Sequence, residues 1–528
     1  MRKIVINISL FIAASALTQV TFAQSNEDII NWYNGKAPGM ETDAAYKLLK
    51  GKTPKSVIVA VIDSGIDIEH EDLKGKIWIN SDEIPKNGID DDKNGYVDDV
   101  YGWNFLGNSK GENLNEANLE KTRILRDLSK KFNGVDSASV SSDLMEEYLL
   151  YKKVKGEVET DREMYSGYLG QIDMISSMID QVPAIVGPAI GKKEYTMKDL
   201  QKWNPKDEQM VQLKEFAMAI ETGELSKEVM DEQRQQIETM VKFNLNVDYN
   251  DRALIGDNPH DFNDKSYGNS DVEGPDALHG THVGGIIGAS RGNGLGGDGV
   301  ADNVKLMSLR AVPNGDEQDK DIALAIRYAV DNGASVINMS FGKGYSPHQK
   351  EVFEAFKYAD EKGVLLVHAA GNDNADVDKE PNFPAAKYSF QTKPLDHFLT
   401  IGASTKNAKG ELAASFSNYG QTMVDIFAPG FEIYNTVPQS EYKKLQGTSM
   451  AAPMVAGVAA MLKSYFPSLS MKEIKQIMLD TSTKYKGTQQ ILPGSDQKVD
   501  FASLSVNGGV VNVKNAVKKC LELEKTKK

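Results

Sequence analysis

Apolar residues along this chain fall into two kinds of run. Val57-Ile58-Val59-Ala60-Val61-Ile62 is unbroken, mostly β-branched, and ends in Asp63. With no polar position left to face water, it predicts a strand buried on both faces of a parallel sheet. The second kind of run has helical length. His279-Gly280-Thr281-His282-Val283-Gly284-Gly285-Ile286-Ile287-Gly288 predicts a small-residue helix able to pack tightly on a sheet, and 454–462 predicts a buried, alanine-rich one. The fold class these elements predict is α/β, with sites at the carboxyl ends of the strands.

Over residues 108–248 the pattern changes to Glu, Lys, Met and Leu at helical spacing. Helices are predicted over 116–132, 141–182, 196–203, 205–222 and 226–243. Thr196 with Asp199, and Ser226 followed by Glu228, are capping signals, whereas Pro183 and Pro188 are expected to interrupt the series. The segment reads as an inserted helical hairpin or small bundle.

Chemistry concentrates outside that segment. Gly447-Thr448-Ser449-Met450-Ala451-Ala452-Pro453 sets a hydroxyl at the start of the apolar helix. Free N–H groups and the dipole favour developing negative charge there, and small neighbours let a polypeptide backbone approach. Taken alone, Ser449 reads equally as a helix cap. Asp63 at its strand end and His279 at its helix start shift the balance towards a nucleophile. The chain holds only seven histidines, and two lie in this one motif.

Asp, His and Ser in that chain order, within these motifs, resemble the subtilisin-like (subtilase) serine proteases. Val364-Leu365-Leu366-Val367-His368-Ala369-Ala370-Gly371-Asn372 resembles the family's oxyanion strand, and Val336-Ile337-Asn338-Met339-Ser340-Phe341-Gly342 its cleft strand. The resemblance covers about 40–107 and 250–518. It implies a three-layer fold around a mostly parallel sheet and a serine endopeptidase acting through an acyl-enzyme. Ser449 would be the nucleophile, His279 the base, Asp63 the orienting carboxylate and Asn372 an oxyanion donor. His282, one turn after His279, is expected to be structural, and His368 a core histidine. Ser340, Phe341, Gly342, Ala369, Ala370 and Gly371 would line the pocket for the residue before the scissile bond. They carry little charge, so an apolar side chain is expected there. The loop Asn314-Gly315-Asp316-Glu317-Gln318-Asp319 matches the place where the family holds preceding substrate residues. It reads as an exposed acidic turn or as a selector of basic side chains.

The organisation expected is an export signal at 1–23, an arm at 24–54, catalytic sequence at 55–107, the helical insertion at 108–248, and catalytic sequence again at 249–528. Arg2 and Lys3 precede an apolar run, and Thr21-Phe22-Ala23 offers small residues for cleavage before Gln24. Export to a periplasm or the exterior follows, with no stable membrane anchor. The single cysteine, Cys520, excludes an intrachain disulfide. A net charge of −15 argues against nucleic acid and against an anionic membrane surface as partners; polypeptide substrates are what the resemblance implies. The oligomeric state is not legible.

No cofactor is expected for catalysis, but a structural Ca²⁺ is. Asp90, Asp92, Asn94 and Asp98 fall at oxygen-ligand positions of an EF-hand-like loop, with Gly95 at its turn; position twelve is Tyr101 rather than glutamate. A solvated acidic turn is the alternative. Asp72 and Asn293 resemble positions around a family calcium site. Asp63 and His279 lie 216 positions apart, far more than in small subtilases. The helical insertion that fills this gap is either packing decoration or a lid that restrains entry of large substrates. A non-catalytic peptide-binding protein on the same scaffold is the alternative to an enzyme.

Overall fold

A computed structural model describes residues 30–526; the expected export signal lies outside them. The chain divides into two compact units, one of Lys121–Tyr249 and one that joins the stretch ending at Glu120 to the stretch beginning at Asn250. Residues 108–120 therefore group with the larger unit.

In that larger unit β1 (Val57–Asp63), β2 (Gly102–Asn104), β3 (Val304–Arg310), β4 (Val336–Met339), β5 (Leu365–Ala369), β6 (Phe398–Ser404) and β7 (Ile426–Pro429) form one sheet, ordered β7-β6-β5-β4-β1-β3-β2. All of these pairs are parallel. Gly509–Val510 extends the sheet in parallel beyond β7, and Thr483–Lys484 closes that edge antiparallel. Alternation along β1 sends Val57, Val59 and Val61 into one core and Ala60 and Ile62 into another. The first core holds the helices Leu278–Gly288 and Thr448–Tyr465, and the second holds Asp319–Asp331 and Gln349–Glu361. Burial on both faces is why these strands carry no polar alternation. The result is an α/β fold with helices on both sides of a mostly parallel sheet.

Register sets the strand ends side by side. Asp63 pairs with Arg310, Ile62 with Met339, and Met339 with His368. The carboxyl ends of β1, β4 and β5 thus open onto one rim, where neighbouring strands lie about 4.8 Å apart.

The Lys121–Tyr249 unit is helical, as its spacing predicts. Its main element is a 46-residue helix, Met145–Ile190, accompanied by Met197–Lys202, Glu208–Glu221 and Lys227–Thr239. Ile172, Ile179, Val182, Val186, Phe216 and Met230 form its own core. The long helix runs through both Pro183 and Pro188, contrary to expectation. Each internal proline costs about 3 kcal/mol. Burying Ile172, Ile179, Val182 and Val186 returns roughly 1.5–3 kcal/mol apiece, so the apolar stripe carries the helix past both breaks. The capping signals are in place: Thr196 N donates to Asp199 Oδ2 at 3.0 Å, and Val229 N donates to Ser226 Oγ at 3.2 Å.

Candidate active site

Asp63 leaves β1 with its side chain buried and its carbonyl accepting from Ala311 N and Val312 N. Its Oδ1 accepts from Ser64 N at 2.8 Å and meets His279 Nδ1 at 2.6 Å. Gly280 makes this approach possible: a Cβ there would stand 2.1 Å from the Gly65 carbonyl oxygen. A proton on Nδ1, donated to the carboxylate, leaves Nε2 as the free base position of a neutral ring. Burial alone would depress the His279 pKa. The charge and hydrogen bond of Asp63, with the charge of Asp276, outweigh it, and the pKa is raised above its ordinary 6.5. His282 has no such partner. It is fully buried, its Nε2 lies 3.0 and 3.1 Å from the carbonyls of Ile433 and Lys443, and burial lowers its pKa to about 4.

Ser449 stands in the first turn of Thr448–Tyr465. Pro453 lies inside that helix and has no N–H to return to the carbonyl four residues earlier, which belongs to Ser449. The freed carbonyl accepts from Ser340 Oγ at 2.9 Å instead. In exchange Ser449 Oγ donates to the Ser340 carbonyl at 3.2 Å, rather than to His279. Ser340 follows β4, the immediate neighbour of β1, so the Ser449 hydroxyl rests on the strand end beside Asp63. Asn372 follows β5. Its Oδ1 accepts from Thr448 N at 2.8 Å and Thr448 Oγ1 at 3.0 Å. An N–H can only meet the amide oxygen, so Nδ2 is the end of Asn372 left for an incoming acceptor.

The cleft residues are held from behind. Ala369 and Ala370 are buried, and Gly371 N donates to Thr448 Oγ1 at 3.0 Å. The Ala370 carbonyl accepts from Asn382 Nδ2 at 2.8 Å and Asn418 Nδ2 at 2.9 Å. Gly371 has a φ of +102°, and a Cβ there would lie 2.3 Å from Asn418 Nδ2, so only glycine fits. Sequence reasoning missed Asn382 and Asn418, because nothing local distinguishes a buried asparagine from a turn residue. Phe341 is buried, and Gly342 faces Asn382.

The Subtilase family model matches residues 54–502. The chain belongs to the subtilase family. Among its relatives are the thermophilic serine proteinase of Bacillus sp. (strain AK1), 39% identical over 46% of this chain and 55% of that protein, and subtilisin DY of Bacillus licheniformis, 35% identical over 39% of this chain and 70% of that protein. Thermitase of Thermoactinomyces vulgaris is 38% identical over 40% of this chain and 69% of that protein. The chain thus spans about half the length of the strain AK1 relative. A solved chain of the subtilase cytotoxin SubAB assembly matches with a TM-score of 0.40 at 24% identity, over 47% of this chain and 77% of that one.

One part of this subtilase departs from expectation. The turn at 314–319 is neither an exposed acidic loop nor an open acidic surface. Glu317 and Asp319 are 2% and 5% exposed. Lys343 Nζ, itself buried, reaches the Glu317 carbonyl at 2.7 Å, Asp319 Oδ1 at 2.8 Å and Glu120 Oε2 at 2.7 Å. Burial pushes Glu317 up to about 7 against the opposing pull of Lys343. The outer side of the turn is braced by 115–120: Ala117 N donates to the Asn314 carbonyl and Glu120 N to Asp316 Oδ2. Glu317 and Asp319 are therefore buried within the turn, while Asp316 remains half-exposed. A cavity of only about 10 Å³ remains beside them, lined by Phe341, Lys343, Ile322 and Tyr388 among others.

The candidate cation positions separate into two groups. Ligand atoms of Glu83, Asp90 and Asp92 lie within 4.8 Å of one another. Glu83 was not predicted from the sequence. It is 6% exposed, its Oε1 accepts from Asp91 N and Asp92 N, and its buried Oε2 has no hydrogen-bond partner. An orphaned buried carboxylate oxygen beside two more carboxylates is a donor set that suits a hard cation. Asn94 is adjacent, its Nδ2 on Asp92 and Asp99. Asp98 is not among the three, and its oxygens take Asn87 N and Gly88 N at 3.0 Å each. Elsewhere Asn293 Nδ2 donates to Asp72 Oδ1 at 2.7 Å, while the buried Asp72 Oδ2 lacks a partner and burial raises the Asp72 pKa.

Proposed function

We propose that this chain is an exported serine endopeptidase whose nucleophile, base and orienting carboxylate are Ser449, His279 and Asp63. The observation that carries the reading is the 2.6 Å contact between a buried Asp63 and His279 Nδ1, set on the strand end next to the one that holds Ser449. A turn of the Ser449 side chain from the Ser340 carbonyl towards Nε2 gives His279 the hydroxyl proton as the oxygen attacks a substrate carbonyl. Asp63 then stabilises the imidazolium, and the raised His279 pKa is the signature of that stabilisation. Negative charge on the tetrahedral oxygen meets Asn372 Nδ2 and the helix N-terminus at Ser449. His279 returns the proton to the leaving amine, and water completes the cycle through the same groups.

The pocket floor of Ala369, Ala370 and Phe341 favours an apolar side chain before the scissile bond. Residues 1–23 carry the charge and apolar pattern of an export signal, and the mature chain is then periplasmic or extracellular. Among the described residues no helix is long and apolar enough to cross a membrane. No metal takes part in the reaction steps. Glu83, Asp90 and Asp92, with Asn94 beside them, would hold a structural Ca²⁺ that neutralises their mutual repulsion, and Asp72 with Asn293 a second one.

A serine-reactive phosphonate tests the central assignment. Wild type is expected to be labelled and to cleave a peptide mixture after apolar residues, and Ser449→Ala is expected to do neither. Labelling that persists in folded Ser449→Ala removes Ser449 as nucleophile. A wild type that binds peptides without cleaving or labelling supports a non-catalytic scaffold instead.

A further inference from the structure

We propose that His368 is a positioning residue that sets the substrate-binding strand by holding the carbonyl of Phe341. The inference rests on the reading of 340–342 as the strand that lies along a bound polypeptide.

His368 lies on β5, paired in register with Met339 of β4. It is 1% exposed, and its Nε2 stands 2.9 Å from the Phe341 carbonyl oxygen. A carbonyl only accepts, so the proton is on Nε2. That leaves Nδ1 as a bare nitrogen, and it is indeed buried without a partner. An isoleucine or valine would fill this position in a parallel strand more cheaply, because an unpaired buried polar atom costs about 1–3 kcal/mol. The histidine accepts that cost at one nitrogen while the other reaches two residues past the end of β4.

The bond falls where the strand no longer has its own ladder. β4 ends at Met339, and the chain then passes Ser340, which exchanges two hydrogen bonds with Ser449, before Phe341. Asn338 Nδ2 reaches Ser340 Oγ at 2.9 Å, and Lys343 exchanges backbone bonds with Phe383 at 2.9 Å each. Ser340 and Lys343 are fixed by these contacts, and Phe341 lies between them. The Phe341 carbonyl is the peptide group whose rotation would swing the Gly342 amide, and His368 is the side chain that holds it. His368 touches neither Ser449 nor His279. Its effect on catalysis passes through the strand and falls on extended substrates alone. Burial keeps the ring neutral, with a pKa lowered to about 4, so the donor geometry is constant across the working range.

The test compares His368→Gln, whose amide N–H reaches the Nε2 position, with His368→Asn, which is too short, and with His368→Ala. Each full-length variant is assayed for cleavage of a long peptide and for the rate of labelling by a small phosphonate that does not span the strand. Loss of the bond predicts about a ten-fold fall in kcat/KM on the long peptide for Asn and Ala, carried mainly by KM. Gln is expected within about three-fold of wild type. Phosphonate labelling should stay at the wild-type rate in all three. Equal cleavage by wild type and any folded variant lacking the donor overturns the proposal. So does a parallel fall in labelling and cleavage, which would mark His368 as general packing. These results are independent of Ser449→Ala: if labelling survives that substitution, the catalytic reading fails by itself.

Discussion

Lys343 offers the sharpest quantitative test of how this cleft is built. Its ammonium is 2% exposed and sits on Glu120, Asp319 and the Glu317 carbonyl at 2.7–2.8 Å. Lys343→Met keeps most of the side-chain volume and removes the charge. Two carboxylates, 6% and 5% exposed, then lose the ammonium they share. Removing one partner of a buried ion pair costs about 3–5 kcal/mol, because the remaining charge cannot recover its water. For a unit this large, at roughly 2 °C per kcal/mol, thermal unfolding should fall by roughly 6–10 °C. Replacing the whole triad behaves differently, since no unpaired buried charge is left behind and a buried amide costs less than a buried carboxylate. Glu120→Gln/Asp319→Asn/Lys343→Met is therefore expected to recover part of the loss. Differential scanning calorimetry of the three proteins, with long-peptide cleavage measured alongside, decides the matter. A single variant that melts within about 2 °C of wild type, or a triple variant less stable than the single one, would falsify the ion-cluster account.

Further consequences concern pH and cations. Because Asp63 and Asp276 hold the His279 pKa above 6.5, the base form appears only at higher pH. The acid limb of kcat/KM should therefore lie above 6.5, and Asp63→Asn should move it down; a limb at or below 6.5 in wild type contradicts the assignment. His282 and His368 have folded pKa values of about 4. The unfolded chain binds their protons first, so stability is complete above about pH 6.5 and falls as pH drops towards 4, by about 3 kcal/mol for each ring. Urea midpoints between pH 7 and 4 should show that slope, and His368→Gln should flatten it; an unchanged slope tells against a buried neutral ring. If Ca²⁺ sits at Glu83, Asp90 and Asp92, calorimetric titration of Glu83→Gln should show one bound calcium fewer per chain than wild type. Equal stoichiometry removes Glu83 from the site.

Much of the larger unit was legible because its strands are buried on both faces. A run such as 57–62 has no polar position, and its end can be located to the residue, Asp63. Asn372, three residues past the end of β5, stood out only through the family resemblance of 364–372. What sequence reading lacked were groups whose meaning comes from distant chain. Glu83 looks like any surface acid until its orphaned oxygen is found beside Asp90 and Asp92. Glu317 and Asp319 read as an exposed turn because the lysine that pairs with Asp319 and takes the Glu317 carbonyl stands at 343, and Glu120, its other carboxylate partner, falls within the stretch read as the insertion. The prolines at 183 and 188 misled for a related reason: the local rule that they break helices holds, but a continuous buried stripe outweighs it. The partner of Ser449 Oγ was also hidden, since rotamer choice is a contest between acceptors that only coordinates reveal.

Pro453 gives the nucleophile an unusual mechanical allegiance. The peptide unit of Ser449 is fastened sideways to Ser340 instead of lengthwise to its own helix. Strain or fraying further along 448–465 therefore has no Pro453 N–H to carry it back to that carbonyl. Tugging on the rim at Ser340, by contrast, reaches the reactive hydroxyl in a single step. The serine is tied to the sheet as well as to its helix.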